Sequence, residues 1–344
     1  MNPQWFNHHV ASVRYQGNGP PTITNIALEA DVHDESILAR LGDPGPVDTS
    51  ELKSVAETMH ETLLRNVPEP HRSEFVVEAG QVKQCVLIDT AAPVTIERTY
   101  RLTACRGEVF ALLEKPFTKR LPFPWVGVAP TMKEDLPVIL GASAVLAMIE
   151  QVLEFVSTNN AHTGTTISNH LSVFESVISP YAPHSSPLAA LGEEWSNRRT
   201  LIDQGVFKKF AVRGPDSQLF LRPERWSHPF GALSTDSLGS LSVTCDRTAA
   251  LPKRALFAEA LTPLSSGFGL ILWEGLFSVM TGKNKRLVDD APIKVRLDAW
   301  QVLSQINGAV EAPRPALASD PIAGDRYGIA PSLLTGIRTG EIYS

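Results

Sequence analysis

Side chains that do chemistry must hold a proton, a charge or a metal at fixed spacing, and this 344-residue chain carries few such groups in diagnostic patterns. Zinc hydrolases set two histidines one helical turn apart with a glutamate between them, so that both imidazoles reach the metal from one face. His60-Glu61 begins that pattern, but the second histidine is replaced by Leu64. His8-His9 and His33-Asp34-Glu35 gather ligand types without a metal-binding spacing. Cys85, Cys105 and Cys245 include no Cys-x-x-Cys pair, and an odd number of widely spaced cysteines in a chain of this size points to reduced thiols.

Phosphate and acyl chemistry fare no better. Met280-Thr281-Gly282-Lys283-Asn284 lacks the upstream glycine and the hydroxyl of a P-loop. Gly267 and Gly269 lack the third glycine of a dinucleotide fingerprint. Ser143 follows Gly141-Ala142 but runs into Ala144-Val145, so no Gly-x-Ser-x-Gly elbow forms. The carboxylate pairs Glu134-Asp135, Glu193-Glu194 and Asp289-Asp290 sit where helix starts favour negative charge. The densest polar cluster is the stretch from Asn159 to His170, which contains both His162 and His170. It reads either as a capped connection between helices or as the lining of a pocket. No cofactor or metal site is implied.

The elements that would position these residues follow from periodicity. Ile26, Leu28, Ala30 and Val32 alternate as in a half-buried strand. Leu52, Val55, Ala56, Met59 and Leu63 recur at helical spacing between Asp48 and Asn66, with Asp48 and Glu51 as a capping box and Pro68 as a stop. Residues 73–115 read repeatedly as β, with connections too short for crossover helices, and so predict an antiparallel meander. A proline-rich aromatic linker occupies 116–130. Beyond it, helices are expected over 137–156, 167–178, 187–202, 256–261, 268–280 and 292–307. Strands are expected over 206–212, 218–222 and 238–245.

The fold class expected is therefore α+β: a meander combined with a mainly helical second half and a proline-rich, irregular C-terminal arm. The domains expected are a β-rich region over 1–130, a helix-rich region over 131–310 and an extended arm over 311–344. That arm lacks periodicity yet keeps Leu317, Ile322, Tyr327, Ile329, Leu333, Leu334, Ile337, Ile342 and Tyr343, more apolar groups than a solvated linker carries. These nine are the candidate interface residues.

Composition narrows the function classes. A formal charge of −6 offers no basic footprint for nucleic acid, and the basic doublets, Lys285-Arg286 among them, read as solvated turns and helix faces. The apolar runs 136–149 and 268–280 fall short of the roughly 20 residues that span a bilayer, and the first residues do not read as a secretory signal. A cytoplasmic protein is expected, or one in a particle assembled inside the cell. The favoured function is a structural subunit of a large assembly, such as a viral capsid or capsid-associated protein. Its partners would be copies of itself or other assembly subunits. The alternatives are an enzyme with a dispersed site near His162 to His170, and a non-catalytic adaptor.

Overall fold

The computed structural model describes residues 4–28, 34–43, 45–66, 75–88, 94–105, 108–112, 125–128, 135–158, 164–176, 198–208, 225–227, 232–234, 240–265, 269–282, 284–288, 293–320 and 324–342. The chain divides into two compact units. One comprises Met1–Cys105 and Val109–Leu121, the other Arg106–Glu108 and Pro122–Ser344.

The first unit contains β1 (Gln4–Gln16), β2 (Thr22–Leu28), α1 (Glu35–Leu41), α2 (Thr49–Asn66), β3 (Phe75–Ile88) and β4 (Val94–Cys105). The strands pair antiparallel in the order β4-β3-β1-β2. One face of this sheet carries Ala11, Val13 and Tyr15 of β1 with Phe75, Val77 and Ala79 of β3, all buried. Helix α2 presents Leu52, Ala56 and Leu63 to the core at helical spacing. Asp48 caps it by accepting hydrogen bonds from the Ser50 backbone N–H at 2.8 Å and the Ser50 hydroxyl at 2.5 Å. The shorter α1 begins with the same Asp-x-Ser device, Asp34 accepting from Ser36.

The chain continues through β5 (Glu108–Leu112), β6 (Trp125–Val128), β7 (Pro137–Leu140), α3 (Ala142–Thr158), β8 (Leu171–Ser176), β9 (Arg198–Asp203), β10 (Val206–Phe207), β11 (Arg225–Ser227), β12 (Ala232–Ser234) and β13 (Ser240–Cys245). It ends with β14 (Arg254–Pro263), β15 (Leu270–Thr281), β16 (Asn284–Leu287), β17 (Ile293–Asp298), α4 (Ala299–Ser304), β18 (Ile306–Ala309), β19 (Arg314–Asp320), β20 (Gly324–Ala330), β21 (Leu333–Arg338) and α5 (Thr339–Ile342). In the second unit one set of strands runs β10-β9-β8-β13-β20-β19. Another runs β18-β21-β7-β14-β15-β16-β6, with β17 beside β15. Helix α3 packs against β14 and β7 on one side and β19 and β20 on the other. Val145, Leu146, Met148, Ile149 and Leu153 are therefore fully enclosed, each contributing about 1.5–3 kcal/mol by leaving water.

The expectation of a mainly helical second half is overturned. The stretches 256–261 and 268–280 are strands β14 and β15, and 167–178 holds β8. The end of 187–202 is β9, and 292–307 splits into β17, α4 and the start of β18. The rest of 187–202, like 218–222, lies outside the described residues. The physical reason is two-sided burial. Leu256 and Ala258 of β14 join the large core, while Ala255 and Phe257 join a second cluster with Ile139 and Met280. A strand covered on both faces reads as a continuous apolar run, which periodicity does not separate from a buried helix.

The irregular C-terminal arm is corrected too: 311–344 contains β19, β20, β21 and α5. Prolines and glycines there punctuate short strands; Pro331, for example, falls between β20 and β21. Among the described residues no helix is long and apolar enough to cross a membrane.

Candidate functional site

The polar stretch singled out in the sequence is met at its second half, His162 lying outside the described residues. Gly164 N–H donates to the Phe207 carbonyl, Phe207 N–H to Thr165, and Ile167 N–H to Gly205, at 2.9 to 3.1 Å. This binds the connection to the β9–β10 hairpin. The hairpin turns at Gln204 (φ 47°) and Gly205 (φ 80°), two left-handed residues as a two-residue turn requires. A Cβ on Gly205 would lie 1.8 Å from the Ser168 carbonyl oxygen, so only glycine fits.

His170 then opens β8, and its Nδ1 lies 3.0 Å from the Asp246 carboxylate. Asp246 N–H returns a bond to the His170 carbonyl at 3.1 Å. A carboxylate that orients an imidazole is half of a general-base arrangement, and the other half is a nucleophile. The neighbours do not present one. The Ser172 hydroxyl oxygen accepts the Gln204 N–H at 3.0 Å. The Cys245 thiol donates to the Arg247 carbonyl at 3.3 Å, and burial pushes it up from the ordinary thiol value, which keeps it protonated.

A second polar group was missed in the sequence. Between β14 and β15 the register slips at Glu259, with Ala258 opposite Phe277 and Ala260 opposite Leu276. A bulge of this kind re-aims one side chain. The buried Glu259 accepts the Ser278 hydroxyl at 2.5 Å and the Lys285 ammonium at 3.2 Å. Lys285 Nζ also stands 3.3 Å from the centre of the Phe257 ring. Lys285 is thus buried, where its doublet with Arg286 suggested a solvated turn. The glutamate's lone pairs and the ammonium's charge are spent on each other, which makes this an internal brace.

The remaining candidates are engaged structurally. His60 Nε2 lies 2.6 Å from the Gly17 carbonyl and its ring stacks on Tyr15 at 4.4 Å between centroids. Burial, followed by Glu57 and Glu61, raises the Tyr15 phenol above its ordinary value. His9 bridges the Gly45 carbonyl at 3.1 Å and the Asn25 side chain at 2.7 Å. Asp135 pairs with Arg338. His33, Glu134, Glu193, Glu194, Asp289 and Asp290 lie outside the described residues, as does the His8 side chain. Ser143 is buried in α3. Thr281 and Asn284 of the string tested as a P-loop flank the β15–β16 turn at Gly282. Among the described residues no group of three or more His, Cys, Asp or Glu is placed to hold a metal.

Of the nine interface candidates, Leu333, Ile337 and Ile342 are buried in their own core, and Leu334 packs on the second cluster. Ile329 is half-buried in β20. Leu317 and Tyr327 lie in β19 and β20 opposite one another, and their side chains are outside the description, as are Ile322 and Tyr343 altogether. Alternation at Leu333, Thr335 and Ile337 was the signal that would have placed β21 in a sheet.

No protein-family profile matches the sequence, and no curated protein matches it. Solved structures do resemble the fold. TldE from Thermococcus kodakarensis superposes with a TM-score of 0.59 at 12% identity, over 99% of this chain and 96% of that one. A protein from Bacteroides thetaiotaomicron described as a modulator of DNA gyrase superposes with a TM-score of 0.52 at 9% identity, over 96% and 92%. Identities this low speak to fold alone. They overturn the expectation of a capsid or other virion component: the architecture is TldE-like, and the segment that was to drape over a neighbour is built into its own sheets.

Proposed function

We propose that this chain is a regulatory protein that acts by binding another protein, with DNA gyrase the first partner to test. The observation that carries the reading is the correspondence of fold over nearly the full length of both chains with a structure named as a modulator of DNA gyrase. A second observation supports it. The described polar clusters, His170 with Asp246 and Glu259 with Ser278 and Lys285, are bonded internally and present no nucleophile. A partner of this kind places the chain in the cytoplasm.

The experiment is a supercoiling assay with purified gyrase and increasing amounts of the purified chain, paired with direct binding by biolayer interferometry. Saturable binding with a dose-dependent change in supercoiling rate is expected. Absence of both would overturn the reading.

A further inference from the structure

We propose that β2 is a dimerisation edge, at which a second copy of this chain adds its own β2 antiparallel across a two-fold axis. Strand β2 ends its sheet, and among the described residues no strand pairs with its outer side. A row of backbone donors and acceptors is thereby offered to a further strand. Natural edges are usually protected by charge, proline or a bulge. Thr22-Ile23-Thr24-Asn25-Ile26-Ala27-Leu28 has neither charge nor proline, and its register with β1 runs without interruption.

The side chains add a second argument. Ile23 stands opposite Val13, on the face that carries the buried Ala11, Val13 and Tyr15. Helix α2 covers β1 and β3 on this unit's sheet, and Ile23 is left 52% exposed while Val13 is fully buried. An apolar residue on a core-facing surface at a sheet edge is one that an added strand would cover.

The occupant follows from charge and symmetry. An isologous contact sets each residue against its symmetry mate's register, and like charges placed opposite one another destabilise a strand pair. An uncharged seven-residue strand centred on Asn25 pairs with its own copy without that conflict. Ile23 then meets Ala27 of the second copy on the same face, and Asn25 meets Asn25 on the axis. The Asn25 side chain is already held by His9 at 2.7 Å. The four strands β4-β3-β1-β2 become an eight-stranded sheet. One strand pair is smaller than a standard interface of roughly 1,200 Å², so the dimer exchanges in the micromolar range.

Sedimentation velocity on the full chain, from low to high micromolar, tests this independently of any gyrase effect. A concentration-dependent dimer is expected. Ile23→Lys, at an exposed site, should leave the far-UV circular dichroism unchanged and raise the dimer dissociation constant at least about tenfold, the equivalent of about 1.4 kcal/mol. Asn25→Cys should trap the dimer as a disulfide under mild oxidation. A chain that stays monomeric throughout overturns the proposal. So does a dimer that survives Ile23→Lys, or one that Asn25→Cys does not cross-link.

Discussion

Glu259 and Lys285 show how a single bulged residue sets the polarity of a sheet interior. Their side chains are 1% and 11% exposed, so removing one partner leaves the other charged and unsolvated. Lys285→Met should destabilise the protein by about 3–5 kcal/mol in denaturant titrations, because the Glu259 carboxylate loses its counter-charge. Combining it with Glu259→Leu and Ser278→Ala should recover most of that loss, since an apolar replacement of a buried pair is often neutral. A triple variant no more stable than Lys285→Met would refute the electrostatic account. Cys245 gives a second expectation at this scale. Desolvation raises its thiol, so the nucleophilic thiolate is scarce. Mass-spectrometric mapping of iodoacetamide labelling at neutral pH should show Cys245 reacting more slowly than a free cysteine added as internal standard.

Helix α2 links residue chemistry to an element that was legible in advance. Asp48 was expected to cap it, and the carboxylate accepts two bonds from Ser50. Those bonds, led by the side-chain hydroxyl, lower its proton affinity from the ordinary carboxylate value. A carboxylate with a lowered folded value contributes stability above its unfolded value, about 3.9, and loses that contribution as pH falls through the folded one. Asp48→Asn keeps an acceptor at the cap without the charge. The fall in melting temperature on acidification below about pH 4 should therefore be shallower in Asp48→Asn than in the parent; equal slopes would remove Asp48 from the acid response. Elements flanked by polar solvent, such as α2, show their period openly. Strands β14, β15 and β17 did not, for different reasons. In β15 the half-buried alternates Leu272 and Leu276 are as apolar as the buried Ile271 and Phe277. In β17 the alternation of Lys294 and Arg296 with Val295 and Leu297 was present. It was masked by the helical spacing of Leu297, Trp300 and Leu303, which belongs to α4. The Glu259 brace was invisible because its members meet only through pairing and a bulge, whereas the His170 stretch was found by its polar density alone.

At the scale of the molecule the deciding feature is the C-terminal segment, whose apolar residues were expected to seek a partner and instead complete the second unit. Strand β21 lies between β18 and β7. The Thr335 hydroxyl donates to the Val138 carbonyl at 2.9 Å, and Leu136 N–H donates to the Thr339 hydroxyl at 2.9 Å. Ala316 and Ala318 of β19 and Ala330 of β20 belong to the core that encloses α3, with Leu333, Ile337 and Ile342. Gly328 brings β20 against α3 so closely that a Cβ there would sit 2.6 Å from the Leu241 carbonyl oxygen and 2.9 Å from the Leu146 side chain. Deleting Arg314–Ser344 would thus uncover one side of a fully apolar helix and unpair β7 and β18 along an edge. Loss of fixed packing is the expected consequence. It should appear as dye binding to exposed apolar surface and as collapse of the near-ultraviolet dichroism from the buried Trp273 and from Trp300, which stacks on Phe207 at 5.3 Å. A truncated chain with a native near-ultraviolet spectrum would mean that the last strands only decorate the unit. The segment would then be free after all to engage another molecule.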